Sequence, residues 1–308
     1  MLVNFLALLI MQLMNCHLIA SDMSEKECIL KNEGTHLFYK VIGKGKPLIV
    51  IHRGPGLSHD YLLLGMKELA ESHMVIFYDQ RGCGRSTCDI SDNTISIEAF
   101  LSDLEAIRQA LQVPKISLLG HSWGGFIAMH YAMAYPNHVE NLILSNSLPS
   151  NSEDYHAFAD EWTKRMLPLS QELNAIQTSQ AFIDGESETI EQFYQLVFST
   201  YCFNPRDACR LNLVFDSSAT LNGRKVYAIF HQKIFVQTFD LSSSLSLIEA
   251  KTLIIHGDVD PIPYITAEHT RSKIKKAQFV LLKNCGHFPY IESPKAYFNT
   301  INTFLLGS

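Results

Sequence analysis

The chain has 308 residues, 47% of them hydrophobic and 18% charged, with only 11 Pro and 16 Gly. That excludes disordered, collagen-like and low-complexity classes and leaves two ordinary domains or one large domain carrying an insertion. With 25 Lys+Arg against 31 Asp+Glu the net charge is -6 and no basic run occurs, so nucleic-acid binding has no electrostatic support and small-molecule or peptide chemistry is indicated.

From Met1 to Ala20 there is no Lys, Arg, Asp or Glu, and the first charged side chain is Asp22. Leu2 to Leu13 has the length of a signal-peptide apolar region, and Ala20-Ser21 offers a small-residue junction. The expectation is a signal peptide over residues 1–20 and an exported protein, periplasmic or secreted; a membrane-anchored or cytoplasmic chain is the alternative. Asn4, Gln12, Asn15 and His17 interrupt the apolar run that a bilayer span needs, so no stable membrane insertion is expected after cleavage. Seven cysteines lack the density of a disulfide scaffold and the paired C-x-x-C spacing of zinc sites, and no structural metal is implied. In an oxidising compartment Cys202 and Cys209, seven apart, are the first pair to test for a bridge.

In chain order, His36 to Ile42 alternates like a strand near a sheet edge, and Leu48 to Ile51 is the first continuous apolar run. Tyr61 to Ser72 has helical period, Met74 to Tyr78 is a strand, Ile95 to Gln112 a helix, Ile116 to Leu119 a strand, Phe126 to Tyr135 a helix and Leu142 to Leu144 a strand. After an interval, Leu253 to His256, Tyr264 to Lys275, Phe279 to Leu282 and Pro294 to Leu306 resume the alternation. Short runs of Val, Ile and Leu separated by helices predict an α/β fold with a mostly parallel, doubly wound sheet. The interval 148–245 is too long for a loop, and Ser152 to Met166, Ser170 to Phe182, Thr189 to Phe198 and Gly223 to Phe235 read as helices. The expected organisation is a core over 21–147 and 246–308 with a helical cap over 148–245, above the crevice where such sheets bind ligands.

Gly120-His121-Ser122-Trp123-Gly124 follows an apolar strand and opens a helix, the context in which G-x-S-x-G makes a sharp turn that exposes a serine hydroxyl. Trp123 N–H at the helix start is placed to donate to a developing oxyanion. A serine needs a base, and the base an orienting acid. Asp258 and Asp260 stand at the end of the Leu253 strand; Asp260 is better placed to project from the loop and Asp258 to cap the turn. His287, in Asn284-Cys285-Gly286-His287-Phe288 after the last strand, is the base candidate. His52-Arg53-Gly54-Pro55-Gly56 follows the Leu48 strand, and its glycines let backbone approach substrate, with Gly54 N–H as a second oxyanion donor. The run Asp79 to Ser86 is a glycine-rich turn braced by an Asp and arginines, with structural work to do.

Taken together, H-R-G-P-G at 52–56, D-Q-R-G-C-G-R-S at 79–86, G-H-S-W-G-G at 120–125, G-D-V-D at 257–260 and G-H-F at 286–288 resemble the proline iminopeptidase (prolyl aminopeptidase) branch of the α/β-hydrolases. The resemblance implies an α/β-hydrolase fold with an inserted helical cap. It also implies a serine peptidase that releases an N-terminal residue, often proline, from a small peptide or aminoacyl substrate, with Ser122, Asp260 and His287 as the triad. No metal or organic cofactor is implied. An esterase, lactonase or other acyl hydrolase on the same triad is the alternative. The family loop is usually H-G-G-P-G; Arg53 in place of its first glycine alters the backbone behind the oxyanion hole or points a cation outwards. Family members hold the substrate ammonium with carboxylates, for which Glu161, Glu186, Glu188, Glu191 and Asp216 are the candidates here.

Overall fold

The computed structural model describes residues 25–307, so the expected leader over residues 1–20 lies outside the described residues. Eight strands form one sheet in the order β1-β2-β4-β3-β5-β6-β7-β8. They are β1 (Glu25–Asn32), β2 (Thr35–Ile42), β3 (Pro47–Ile51), β4 (Met74–Tyr78), β5 (Ile116–His121), β6 (Val139–Ser145), β7 (Lys251–Gly257) and β8 (Ala277–Leu282). The pairings β1–β2 and β2–β4 are antiparallel and the rest parallel.

Strand β1 was not expected: its sequence EKECILKN mixes charges with apolar residues because it lies at the edge, largely exposed, where burial imposes no apolar run. Consequently the alternating strand β2 sits second in the sheet, between β1 and β4. The central strands are dominated by Val, Ile and Leu because both faces are covered, with polar residues such as Ser117, Asn141 and His256 buried among them. Ile49 and Ile51 of β3 pack on one side with α2 (Ile97–Ala110) and α3 (Trp123–Ala134); Leu48 and Val50 pack on the other with α1 (Asp60–Met66) and the C-terminal helix (Pro294–Leu306). Helix α1 passes into a 3₁₀ turn at Lys67, and α2 starts where the Ser96 side chain accepts from Ala99 N–H.

Between β6 and β7 the chain leaves the sheet for the helices α4 (Ser152–Met166), α5 (Ser170–Gln177), α6 (Gln180–Ile183), α7 (Ser187–Ser199) and α8 (Ser217–Phe230), the last followed by one π-turn over His231–Phe235. The single stretch expected over Ser170 to Phe182 breaks at Ser179, whose hydroxyl caps α6, and α8 begins before Gly223 because Asp216 caps it through Ala219 N–H. After β7 come α9 (Tyr264–Lys273), β8, α10 (Pro289–Glu292) and α11 (Pro294–Leu306). The thiols of Cys202 and Cys209, the expected first pair for a bridge, are both free.

Candidate active site

Ser122 links β5 to α3 at φ 57°, ψ -121°, a left-handed conformation that costs a non-glycine residue about 1–3 kcal/mol and persists only when its surroundings over-determine it. Here they do: Ser122 N–H donates to Ser145 O, and Ser122 O accepts from Gly125 N–H and Leu148 N–H at 2.9–3.1 Å. The motif's glycines follow from crowding, since a Cβ on Gly120 would stand 2.4 Å from Gly124 O and one on Gly124 2.1 Å from Ile51 O. With its backbone held, the Ser122 side chain has no hydrogen-bond partner within its own helix cap.

Asp260 and His287 arrive from the ends of β7 and β8. His287 Nδ1 lies 2.8 Å from Asp260 Oδ2. Asp260 also accepts from Ile262 N–H at 2.8 Å on Oδ1 and from Asn146 Nδ2 at 2.5 Å on Oδ2, while His256 Nε2 lies 3.6 Å away and donates to Ile262 O. With Nδ1–H committed to the carboxylate, His287 Nε2 carries the lone pair, and it is buried without a hydrogen-bond partner. Burial pushes the His287 pKa well below its ordinary value, and the charges of Arg53, His256 and Arg165 push it further the same way. Burial raises the Asp260 carboxyl, against the pull of His256, Asn146 and the Ile262 amide. Ser122 and Asp260 are each 5% exposed and His287 is fully buried, so the three side chains are screened from water. Asp258 faces elsewhere: its Oδ1 accepts from Cys285 N–H at 3.3 Å and its Oδ2 lies 3.6 Å from Lys283 Nζ.

The 52–56 loop is tied to this group by buried side chains. Gln80 donates through its backbone N–H to His52 Nε2 and through its amide to His52 O, and accepts from Trp123 Nε1–H at 2.9 Å. His52 Nδ1–H donates to Arg53 O at 2.6 Å, so one neutral tautomer is fixed; burial holds its pKa down to about 4. Arg53 N–H donates to the Tyr61 hydroxyl, which donates to His121 Nδ1, and His121 Nε2–H donates to His287 O, each at 2.7–2.8 Å. This relay joins the loop after β3 to the loop after β8, and burial keeps His121 neutral. Among the described residues neither Gly54 N–H nor Trp123 N–H has a hydrogen-bond acceptor, which leaves two free backbone donors, one directly after Ser122 and one in the 52–56 loop that approaches the Trp123 ring.

The inserted helices lie directly on the site. Tyr201, just after α7, packs its ring 5.1 Å from that of His287 and accepts His287 N–H; α8 touches the 52–56 loop, where Gly223 leaves no room for a Cβ against Gly56 O. The Arg53 guanidinium does not point outwards. It turns in under the inserted helices, 4.4 Å from the Phe198 ring and 5.1 Å from the Tyr201 ring.

The five candidate carboxylates are not brought to Ser122 by any hydrogen bond or ion pair. Glu161 is held by Arg165 at 2.9 Å, and Arg165 in turn donates to Thr200 O and Val259 O. Glu191 accepts from Gln195, Asp216 caps α8, and Glu186 and Glu188 are exposed at the start of α7. Sequence reasoning missed Asn146 and Glu292. Asn146 sits at φ 47° after β6 and bridges Asp260 to Gly286 O; its only signal was an Asn at a strand end, a residue type that tolerates that conformation. Glu292 accepts from Phe203, Gly286 and Phe288 N–H at 2.7–2.9 Å and so clamps the His287 loop to the segment after α7. Among the described residues no group of three or more His, Cys, Asp or Glu could hold a metal ion, and no helix is long and apolar enough to cross a membrane.

Residues 46–294 match the family model described as alpha/beta hydrolase fold. A proline iminopeptidase from Heyndrickxia coagulans is 30% identical over 270 residues, covering 85% of this chain and 91% of that protein. Another from Thermoplasma volcanium is 28% identical over 291 residues, covering 90% and 95%. The crystal structure of proline iminopeptidase from Mycobacterium smegmatis superposes with a TM-score of 0.70 at 22% identity over 92% of this chain and 98% of that one. With the sheet order, the elbow at Ser122 and these likenesses in agreement, the chain belongs to the α/β-hydrolase family, in the branch of relatives named proline iminopeptidase.

Proposed function

We propose that the protein is a serine hydrolase that cleaves small peptides or aminoacyl compounds through an acyl-enzyme, releasing an N-terminal residue. The observation that carries the reading is the pairing of His287 Nδ1 with Asp260, which leaves a buried, unpartnered Nε2 as a base in the site that the Ser122 elbow forms. Ser122 Oγ attacks the scissile carbonyl while His287 Nε2 takes its proton, and Asp260 steadies the imidazolium. The carbonyl oxygen, now an anion, accepts from Trp123 N–H, held at the start of α3 by the Ser122 turn, and from Gly54 N–H, in the loop that Gln80 ties down through His52. His287 returns the proton to the leaving amine, and water, activated by the same base, hydrolyses the ester. The inserted helices serve as a cap that keeps bulk water away from the charges that form. The names of the relatives support N-terminal release. A second reading, an acyl hydrolase that does not read an amine, is favoured by Arg53, a cation in the site where an ammonium would be repelled.

The test is hydrolysis of proline and alanine arylamides beside short acyl esters, wild type against Ser122→Ala. Loss of kcat on the order of 10⁴-fold or more in the variant is expected. Activity that survives Ser122→Ala would sink the mechanism, and arylamide turnover that persists after N-acetylation of the substrate would favour the second reading.

A further inference from the structure

We propose that Arg53 is a specificity-determining residue whose guanidinium pairs with a carboxylate of the substrate. The proposal rests on the hydrolase reading and adds the class of compound that reading leaves open.

Position comes first. Arg53 immediately precedes Gly54, one of the two free backbone donors, and its guanidinium lies over Phe198 and Tyr201, the latter in contact with the His287 ring. The cation is therefore part of the wall beside the reacting atoms. Its charge is felt there, since it opposes protonation of both His287 and His121.

Its partners come second. Arg53 Nε and Nη1 are buried with no hydrogen-bond partner, and Arg53 enters no ion pair among the described residues. The rings offer a cation–π attraction of about 0.5–2 kcal/mol, and the Tyr201 hydroxyl lies within reach of the guanidinium, but both side chains are neutral and supply no counter-charge. The carboxylates around the site are already committed: Asp260 to His287, Asn146 and Ile262 N–H; Glu161 to Arg165; Glu292 to three backbone N–H groups. Among the described residues no carboxylate neutralises Arg53, so the counter-charge comes with the ligand.

The donor chemistry comes third. Adjacent N–H groups of a planar guanidinium match the two oxygens of a carboxylate, and the aromatic walls lower the local dielectric, which strengthens such a pair. Two kinds of substrate present this group near a scissile carbonyl. A short peptide carries it at the C-terminus of the leaving group, and a half-ester or half-amide of a dicarboxylic acid carries it on the acyl part.

Two matched pairs test the proposal and separate these sources: proline dipeptides as free acids against their C-terminal amides, and the 4-nitrophenyl monoester of glutaric acid against 4-nitrophenyl pentanoate. In the wild type the carboxylate member of one pair is expected to be preferred about 10- to 100-fold in kcat/KM, mostly through KM, the size of a charge-assisted hydrogen-bond contribution. In Arg53→Met that ratio collapses to near one, and Arg53→Lys restores part of it. Equal use of both members of both pairs by the wild type, or a ratio that Arg53→Met leaves unchanged, overturns the proposal. Failure of the hydrolase reading is read separately, by fluorophosphonate labelling of Ser122 and by thermal stabilisation of Ser122→Ala with glutarate against glutaramide. Stabilisation by glutarate alone that disappears in the Ser122→Ala, Arg53→Met double variant upholds the carboxylate site even without turnover, and its absence in Ser122→Ala overturns it.

Discussion

Two glycine-rich loops leave the C-terminal ends of the neighbouring strands β3 and β4, and the fold treats Arg53 of the first and Arg81 of the second oppositely. Arg81, after β4, is sealed in the core, where its Nε and Nη2 donate to the two oxygens of Asp103 at 2.7 Å each and its Nη1 donates to Thr94 O. Asn32 donates to the same carboxylate, so charge and hydrogen bonds both close locally. Arg53, after β3, has two rings for company and two buried nitrogens without acceptors. A buried guanidinium is tolerated in a framework only when paired and hydrogen-bonded. The satisfied arginine thus belongs to the scaffold, and the unsatisfied one marks where the scaffold meets something else.

That contrast can be broken first at its stable end. Asp103→Ala strands Arg81 and is expected to remove about 3–5 kcal/mol of stability, read as a lower urea midpoint at unchanged slope; a loss below about 1 kcal/mol would show that the pair does not hold the loop. Between the two arginines sits Gln80, which ties His52 to Trp123. Gln80→Leu leaves a buried carbonyl and an indole N–H without partners, and a loss of about 1–3 kcal/mol is expected. The kcat on an activated ester should fall more than KM rises, because Gly54 N–H loses its fixed position relative to Trp123; an unaltered kcat would detach this network from the site.

The smallest effect sharpens the other end. His287 is faced by Asp260, His256, Arg165, His121 and Arg53, and its pKa is held below the ordinary value of about 6.5. The neutral imidazole is the competent form, so kcat/KM for a neutral ester should persist as pH falls below 6.5 and decline only as His287 protonates. Removing a neighbouring positive charge favours protonation, so the acid limb of Arg53→Met should move up towards 6.5, each profile being taken against its own plateau. A limb that stays in place would put the Arg53 charge too far from His287 to matter.

Much of the molecule was legible along the chain. The central parallel strands announced themselves because both their faces are buried and runs of Val, Ile and Leu best satisfy that, and the Ser122 elbow did so because only glycine fits at 120 and 124. The edge strand β1 escaped notice because exposure removes the pattern. Asn146 and Glu292 escaped because each acts on groups from other loops: Asn146 reaches Asp260, 114 residues away, and Glu292 reaches Phe203, 89 residues away. The candidate carboxylates were not told apart in the sequence, although two are spent locally: Glu161 pairs with Arg165 four residues on, and Asp216 caps α8 through Ala219 N–H three residues on.

The sequence alone determined the fold class, the strand-turn-helix at Ser122 and the order in which a serine, an acid and a histidine follow one another, because local periodicity and steric exclusion act between near neighbours in the chain. Tertiary structure decided which of two aspartates meets His287, which way Arg53 turns and which carboxylates are already neutralised. Asp260 meets His287 from 27 residues away and Asn146 from 114, Arg53 meets rings on the inserted segment, and Arg165 is fixed beside Glu161 by its bonds to Thr200 O and Val259 O. These outcomes therefore depend on pairing energies that exist only once the sheet and the inserted helices have brought the groups within a few ångströms.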